Sequence, residues 1–248
     1  MTRLLGAELR RFWSRRLLLI LVVLEVMGIA FGGGIAFWNV RFELTSLPDV
    51  FLGTALILVI VGWVLGASFI GAEWHAGTVA TLLTWEPRRG RVIAAKIVAA
   101  LVSVFVLSMA TQAVLAGMLA FDAATRGTTA GADGALLAEA LGVALRSALL
   151  ATFGAGVGFG LAAVGRNTAA ALGVGFGYVV IVENLVRGLR PHWVEWLASE
   201  NAGRFLLASP NDFPSLQRST LGAGLYLAAV TALILLCTAI VFRARDVT

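Results

Sequence analysis

Two carboxylates, Glu25 and Glu183, stand inside long apolar runs of this chain, the second followed directly by Asn184. An ionised group at mid-bilayer costs ~2.5–3.5 kcal/mol on insertion scales, so such residues face a bundle interior or water. Arg187 lies one helical turn beyond Glu183 and is its expected ion-pair partner. Glu25 has no such neighbour in its own run, which leaves a pathway role and a protonated carboxyl both open. Glu25, Glu183 and Asn184 are the candidates for lining a substrate pathway. Other chemistry is sparse. Cys237 is the only cysteine and sits in an apolar run, which excludes an intrachain disulfide and a Cys-based metal site. His75 and His192 fall in segments expected on opposite sides of a membrane, so one copy cannot pair them on a metal. The only lysine, Lys96, follows Ala-Ala, and no G-x-x-x-x-G-K-[ST] loop occurs to cradle ATP phosphates. We expect no catalytic residue, cofactor or metal in this chain. Any energy it uses comes from a partner or an ion gradient.

The elements that position these groups follow from composition. Of 248 residues, 59% are hydrophobic and 13% charged, where soluble domains sit near roughly 45–50% and about 25%. So few charges cannot cover so much apolar surface, and a bilayer must solvate most of it. The net charge of +5 is carried by arginines clustered beside apolar runs. That is a topology signal and not a nucleic-acid face. Arginine outnumbers lysine eighteen to one, amid abundant Ala and Gly, which reads as the codon bias of a GC-rich bacterium. Six stretches are long enough to span: about 17–38, 50–71, 97–121, 144–164, 169–186 and 221–242. About 20 residues at about 1.5 Å each cross a core of about 30 Å, and uninterrupted runs of that length are helices. The first run exceeds the ~7–15 residues of a signal-peptide core, so it is expected to be an uncleaved span. No linker separates the runs, and residues 1–248 read as one all-α membrane domain.

Arginine and lysine orient it. With the N-terminus inside, twelve fall inside and seven outside, and five of the twelve precede the first span. Both termini are then cytoplasmic, in a bacterial inner membrane. Glycines four apart recur at Gly28/Gly32, Gly62/Gly66, Gly154/Gly158, Gly156/Gly160 and Gly173/Gly177. Such pairs let helices approach closely in lipid, either within one bundle or across a dimer seam. Before the first span, Leu5, Leu9, Phe12 and Trp13 gather on one side of a helical wheel, opposite Arg3, Arg10 and Arg11. A helix of that kind lies in the headgroup plane as an elbow.

The inner loop from Glu73 to Lys96 reads EWHAGTVATLLTWEPRRGRVIAAK. If 73–85 is helical, Ala76, Val79, Leu82 and Leu83 share one face, with Glu73, Gly77, Thr81 and Thr84 opposite, and Pro87 ends the helix. Span 3 is expected to begin early, carrying Arg91 and Lys96 on an extension below the membrane. Such a helix can press on a cytoplasmic partner or lie on the surface with its arginines on lipid phosphates. The outer loop from Gly188 to Thr220 groups Trp193, Val194, Trp196 and Leu197, then Phe205, Leu206 and Leu207. It reads as two short half-inserted helices at the interface, where Trp is favoured, or as a loop on the outer leaflet.

These features together resemble a permease subunit of the type-2 family of ATP-binding-cassette exporters. The family's loop between spans 2 and 3 carries a Glu, then Gly-Thr, then Pro with Arg, then Lys. This chain supplies Glu73, Gly77-Thr78, Pro87, Arg88, Arg89, Arg91 and Lys96, with Gly90 where many members have the arginine. The likeness covers the chain by topology and about 25 residues by motif. It implies that Glu73, His75, Gly77, Thr78, Thr81, Trp85, Pro87, the three arginines and Lys96 form a coupling element. That element would sit in a groove of a separate cytoplasmic ABC ATPase, present in two copies, which binds the ATP and magnesium. It also implies a second permease subunit, identical or related, and short re-entrant helices between spans 5 and 6 forming an outer gate at Trp193, Trp196 and Phe205. Membrane lipid is the remaining partner, and nucleic acid is not one. The cargo would be amphiphilic: a drug, lipid or peptide. A proton-driven transporter using Glu25 and Glu183, or a sensor or anchor subunit, are the alternative readings.

Overall fold

A computed structural model describes residues 2–24, 42–78, 81, 84, 88–208 and 217–244. Glu25, Trp85, Pro87, the pair Gly28/Gly32 and most of the first expected span lie outside the described residues. Among the described residues the chain is helical and has no strands; Glu43 and Thr128 form one isolated bridge. Helix α1 covers Thr2–Trp13, and α2 is helical through 16–24. Then come α3 (Leu47–His75), α4 (Arg89–Thr125), α5 (Gly134–Gly165) and α6 (Thr168–Gly177). A π-helical segment, Tyr178–Val182, joins α6 to α7 (Glu183–Leu189). A 3-10 helix at Pro191–Trp196 and α8 (Ala198–Leu207) lead to α9 (Thr220–Ala244).

Five of these helical stretches are long and apolar enough to cross a membrane: α3 with its preceding turn, α4, α5, α6 through α7, and α9. They contain the expected spans 2 to 6. Helix α4 has 37 residues, about 55 Å at helical rise, so it outruns a hydrocarbon core of about 30 Å. Its start at Arg89 puts Arg91 and Lys96 on the expected extension.

Local chemistry sets the boundaries. Helix α3 takes Pro48 in its first turn, where a missing donor is harmless. It stops at Gly77, whose φ of +66° costs a glycine nothing. Asp133 caps α5 by accepting from the Leu136 N–H at 2.8 Å, and Asn167 caps α6 through the Ala170 N–H at 3.1 Å. Between them Arg166 takes a left-handed conformation, so α5 and α6 are joined by a minimal turn.

The core is built on glycine. A Cβ at Gly62 or Gly66 would run into the backbone of Ala151 or Ala155 on α5, and one at Gly154 or Gly158 would meet Val59 or Trp63 on α3. Helices α3 and α5 therefore touch backbone to backbone, as small residues permit in lipid. Gly156 and Gly160 bring α9 onto the opposite side of α5, against Thr231 and Ile234. These three pairs serve packing within one bundle. Gly173 and Gly177 face open space. Gly66→Val should lower thermal stability by about 1–3 kcal/mol or more, as overpacking does. Gly53→Val, where a Cβ meets nothing, should leave the melting temperature in detergent almost unchanged.

Candidate functional site

The end of the bundle that carries α1 holds a buried charge cluster. Lys96 on α4 has no exposed surface, and Glu73 in the last turn of α3 keeps 2%. The Lys96 Nζ lies 2.8 Å from Glu8 Oε2 and bridges both oxygens of Glu73, at 2.7 and 2.9 Å. Arg11 Nη1 approaches Glu73 Oε1 at 3.3 Å and Arg15 Nη2 at 3.7 Å. Arg15 also donates to the Ser68 and Phe69 carbonyls at 2.8 and 2.9 Å. Burial lowers the Arg15 pKa from its ordinary value, and Glu73 opposes that shift. The Phe69 ring lies 4.7 Å from the Arg15 guanidinium and 5.4 Å from the Lys96 ammonium. Phe12 packs against the same ring at 5.2 Å. Three helices that meet nowhere in sequence are thus joined through two carboxylates, three cations and one aromatic face.

Helix α1 turns Glu8 and Phe12 inward and leaves Trp13 43% exposed. The arrangement revises one expectation, that of the loop helix. Glu73 and His75 belong to α3, because the helix runs on to His75 and breaks at Ala76–Gly77. Glu73 therefore points into the bundle, whereas His75, Gly77, Thr81 and Thr84 are exposed. Thr78 ties the loop back to the cluster: its Oγ1 accepts from Arg11 Nη2 at 3.4 Å and donates to the Glu73 carbonyl at 3.3 Å. Arg88 and Arg91 are exposed and Arg89 half-buried at the start of α4. Glu8, Arg11 and Arg15 escaped the sequence reading. The available signal was that Glu8 is the sole acid of an arginine-rich helix, one turn before Phe12.

The opposite end has its own polar network. Glu183 has no exposed surface. Its Oε2 lies 3.5 Å from Arg187 Nη2, the expected pair, and its Oε1 accepts the Ser199 N–H at 3.1 Å. Helix α8 has no capping side chain of its own at Leu197, so Glu183 reaches across to cap it and meets its positive dipole end. Arg187 also pairs with Glu200 at 2.8 Å and donates to Asn184 Oδ1 at 3.3 Å. Asn184 is exposed and otherwise donates to the Val180 carbonyl. Arg146 closes the other end of α8, donating to the Leu206 carbonyl at 3.0 Å. Trp193 and Trp196 stay more than half exposed. Phe205 fills the space left by Gly224, where a Cβ would come within 2.6 Å of its ring.

The predicted coupling residues are thus split. Glu73 and Lys96 are interior, while His75, Gly77, Thr81, Arg88 and Arg91 are exposed around them. Glu183 and Asn184 sit at the base of the predicted outer gate, far from the coupling end. Among the described residues no group of three or more His, Cys, Asp or Glu residues could hold a metal ion. No family model matches the chain, and no curated protein matches it.

Lys96→Met should strand Glu8 and Glu73 against each other in the interior. Removing one partner of a buried pair costs about 3–5 kcal/mol. We expect a corresponding loss in thermal stability and faster proteolysis between α1 and α2. Arg10→Met, on the exposed face of α1, should change neither.

Proposed function

We propose that this chain is the transmembrane permease subunit of an ATP-binding-cassette exporter of a bacterial inner membrane. Two permeases, identical or related, would work with two cytoplasmic ATPase subunits to move an amphiphilic cargo outward. The observation that carries this reading is the charge cluster beneath the loop between α3 and α4. The loop leaves the bundle from residues tied to α1, α3 and α4 at once, through Glu73, Lys96 and Thr78. The other connection at that end, Arg166–Asn167, is a tight turn packed beside Trp74, with the Arg166 guanidinium 4.6 Å from its ring. A push on the first loop is therefore received by three helices together, whereas the second offers little to push on.

On this reading the coupling residues divide into two kinds. Gly77, Thr81, Arg88, Arg89 and Arg91, with His75, Trp85 and Pro87, present the loop to the ATPase. Glu73, Lys96 and Thr78 hold it in place and pass displacement to the spans. The helix α1 acts as an elbow in the headgroup plane, and the 3-10 helix with α8 acts as the re-entrant outer gate. Closure of the two ATPases would tilt α3 and α4 as one piece. The first span with Glu25, and the faces of spans 2 and 5, would line the path.

The deciding experiment is co-purification of the tagged permease with an ATPase subunit encoded beside it. Thr81→Glu with Thr84→Glu, both on exposed positions, should cut ATPase recovery by about tenfold, equivalent to about 1.4 kcal/mol of binding. Leu225→Ala, on the exposed apolar face of α9, should leave recovery unchanged. Undiminished recovery with the loop variant would remove the coupling role of this segment. A purified chain that hydrolysed ATP unaided would remove the reading altogether.

A further inference from the structure

A cavity of about 420 Å³ lies among α3, α5, the span formed by α6 and the π-helical segment, and α9. Its walls include Trp63, Val157, Val179 and Ile234, and Ala198 of α8 and Tyr226 stand at the end nearer the gate. That volume falls in the range of roughly 300–1,000 Å³ occupied by small-molecule sites. From Tyr226 to Ile234 the wall runs eight residues of helix, about 12 Å. Two features mark it as built and not as a packing fault. Gly175 makes room for Trp63, because a Cβ there would strike the indole ring. Tyr178 and Val179 belong to the π-helical stretch, a costly geometry that is concentrated at functional sites.

A cation stands behind one wall residue of this cavity. Arg218 stacks on the wall residue Tyr226 and on Trp196, 4.5 Å from each ring. Its Nη1 donates to the Glu195 carbonyl at 2.7 Å and to Asn201 Oδ1 at 3.1 Å. Tyr226 is itself fixed by donating to the Trp196 carbonyl at 2.7 Å. The neighbouring Arg187 is neutralised by Glu183 and Glu200. Among the described residues Arg218 has no carboxylate within ion-pair distance, and its contacts there are to dipoles and ring faces. A hydrocarbon-lined slot whose wall residue Tyr226 carries a stacked guanidinium, without an ion-pair partner among the described residues, has the complement of one kind of molecule.

We propose that this cavity binds an anionic amphiphile, its hydrocarbon chain between α3, α5 and α9 and its carboxylate or phosphate head on Arg218. As a cargo site this rests on the exporter reading; as a binding site it does not, and binding is measured on the chain alone. The full chain in nanodiscs of zwitterionic lipid is titrated with bromododecanoate and, separately, with bromododecanol. Quenching of tryptophan fluorescence reports occupancy, because Trp63 lines the cavity and Trp196 packs edge-on against its wall residue Tyr226. The carboxylate probe should saturate at about tenfold lower concentration than the alcohol, as a charge-assisted hydrogen bond provides. Arg218→Gln should abolish that preference and leave the alcohol unchanged, whereas Arg218→Lys should retain most of it. Val157→Phe, which fills the slot, should weaken both probes by about tenfold or more. Should Arg218→Gln fail to fold, the Val157→Phe and Arg218→Lys arms still decide. Non-saturating quenching in the unaltered chain, equal affinity for the two probes, or indifference to Val157→Phe would each overturn the site. None of these outcomes bears on whether an ATPase binds the loop, so the two readings fail separately.

Discussion

Everything at the α1 end of the molecule depends on Lys96 being buried between Glu8 and Glu73. An ammonium with no exposed surface is tolerable only with full compensation, because each unpaired ion in such a place costs several kcal/mol. Two carboxylates from two other helices provide it, and Arg11 and Arg15 balance those carboxylates in turn. The consequence is positional. A well-packed apolar core could replace such a cluster with little loss of stability, but it would tolerate small sliding of one helix on another. The charge cluster does not, because any displacement of α1 or of the end of α3 strands a charge. Helices α1, α3 and α4 therefore share one geometry at this end.

That constraint meets a second one along the bundle. Helices α3 and α5 lie so close that Gly62, Gly66, Gly154 and Gly158 admit no Cβ, and Ala55, Ala151, Ala155 and Phe159 on these helices are fully buried. Dispersion over many close contacts, rather than the release of water, holds helices together in lipid. The rigid unit made by the charge cluster thus continues through α5. Helix α9 joins through Gly156 and Gly160. By contrast the span formed by α6, the π-helical segment and α7 has only 11% of its most apolar window buried, against 61% for α5. At one end Thr168 lies against Gly71 of α3, and at the other Glu183 and Arg187 tie it to α8.

How legible this was in the sequence depended on whether the deciding interaction was local. Spans 2 to 6 could be read because each requires only an unbroken apolar run. The Glu183–Arg187 pair was readable for the same reason, being one helical turn apart. The Lys96 cluster was not, because Glu8 and Lys96 are 88 residues apart and the one local mark of Glu8, as the sole acid of its helix, does not name its partner. Glu8 turns inward because its partner across the interface is itself charged. The break after His75 went unread because Gly77 was assigned to a continuing helix, although its left-handed conformation is what ends one. Arg218, Asn201 and Tyr226 are held together largely by the backbone carbonyls of Glu195, Trp196 and Leu197, for which sequence carries no signature.

The two polar networks also differ in what they restrain. At the α1 end five charged groups clamp three helices that continue as the packed core. At the opposite end Glu183 caps α8 and Arg187 joins it to Glu200, while Phe205 packs the same short helix against Gly224 of α9, so it is fastened both to the span and to the core. Arg146 makes the one described hydrogen bond from α5 to α8, at 3.0 Å to the Leu206 carbonyl. The π-helical segment lies immediately before Glu183, so a change in its register would move the cap and α8 with it. A molecule lodged against Tyr178 and Val179 would act on that same segment. On the proposed reading, force enters where the structure is stiffest and cargo sits where it is least restrained. That is the order an exporter needs, because a yielding entry point would dissipate the push and a rigid gate would not answer it.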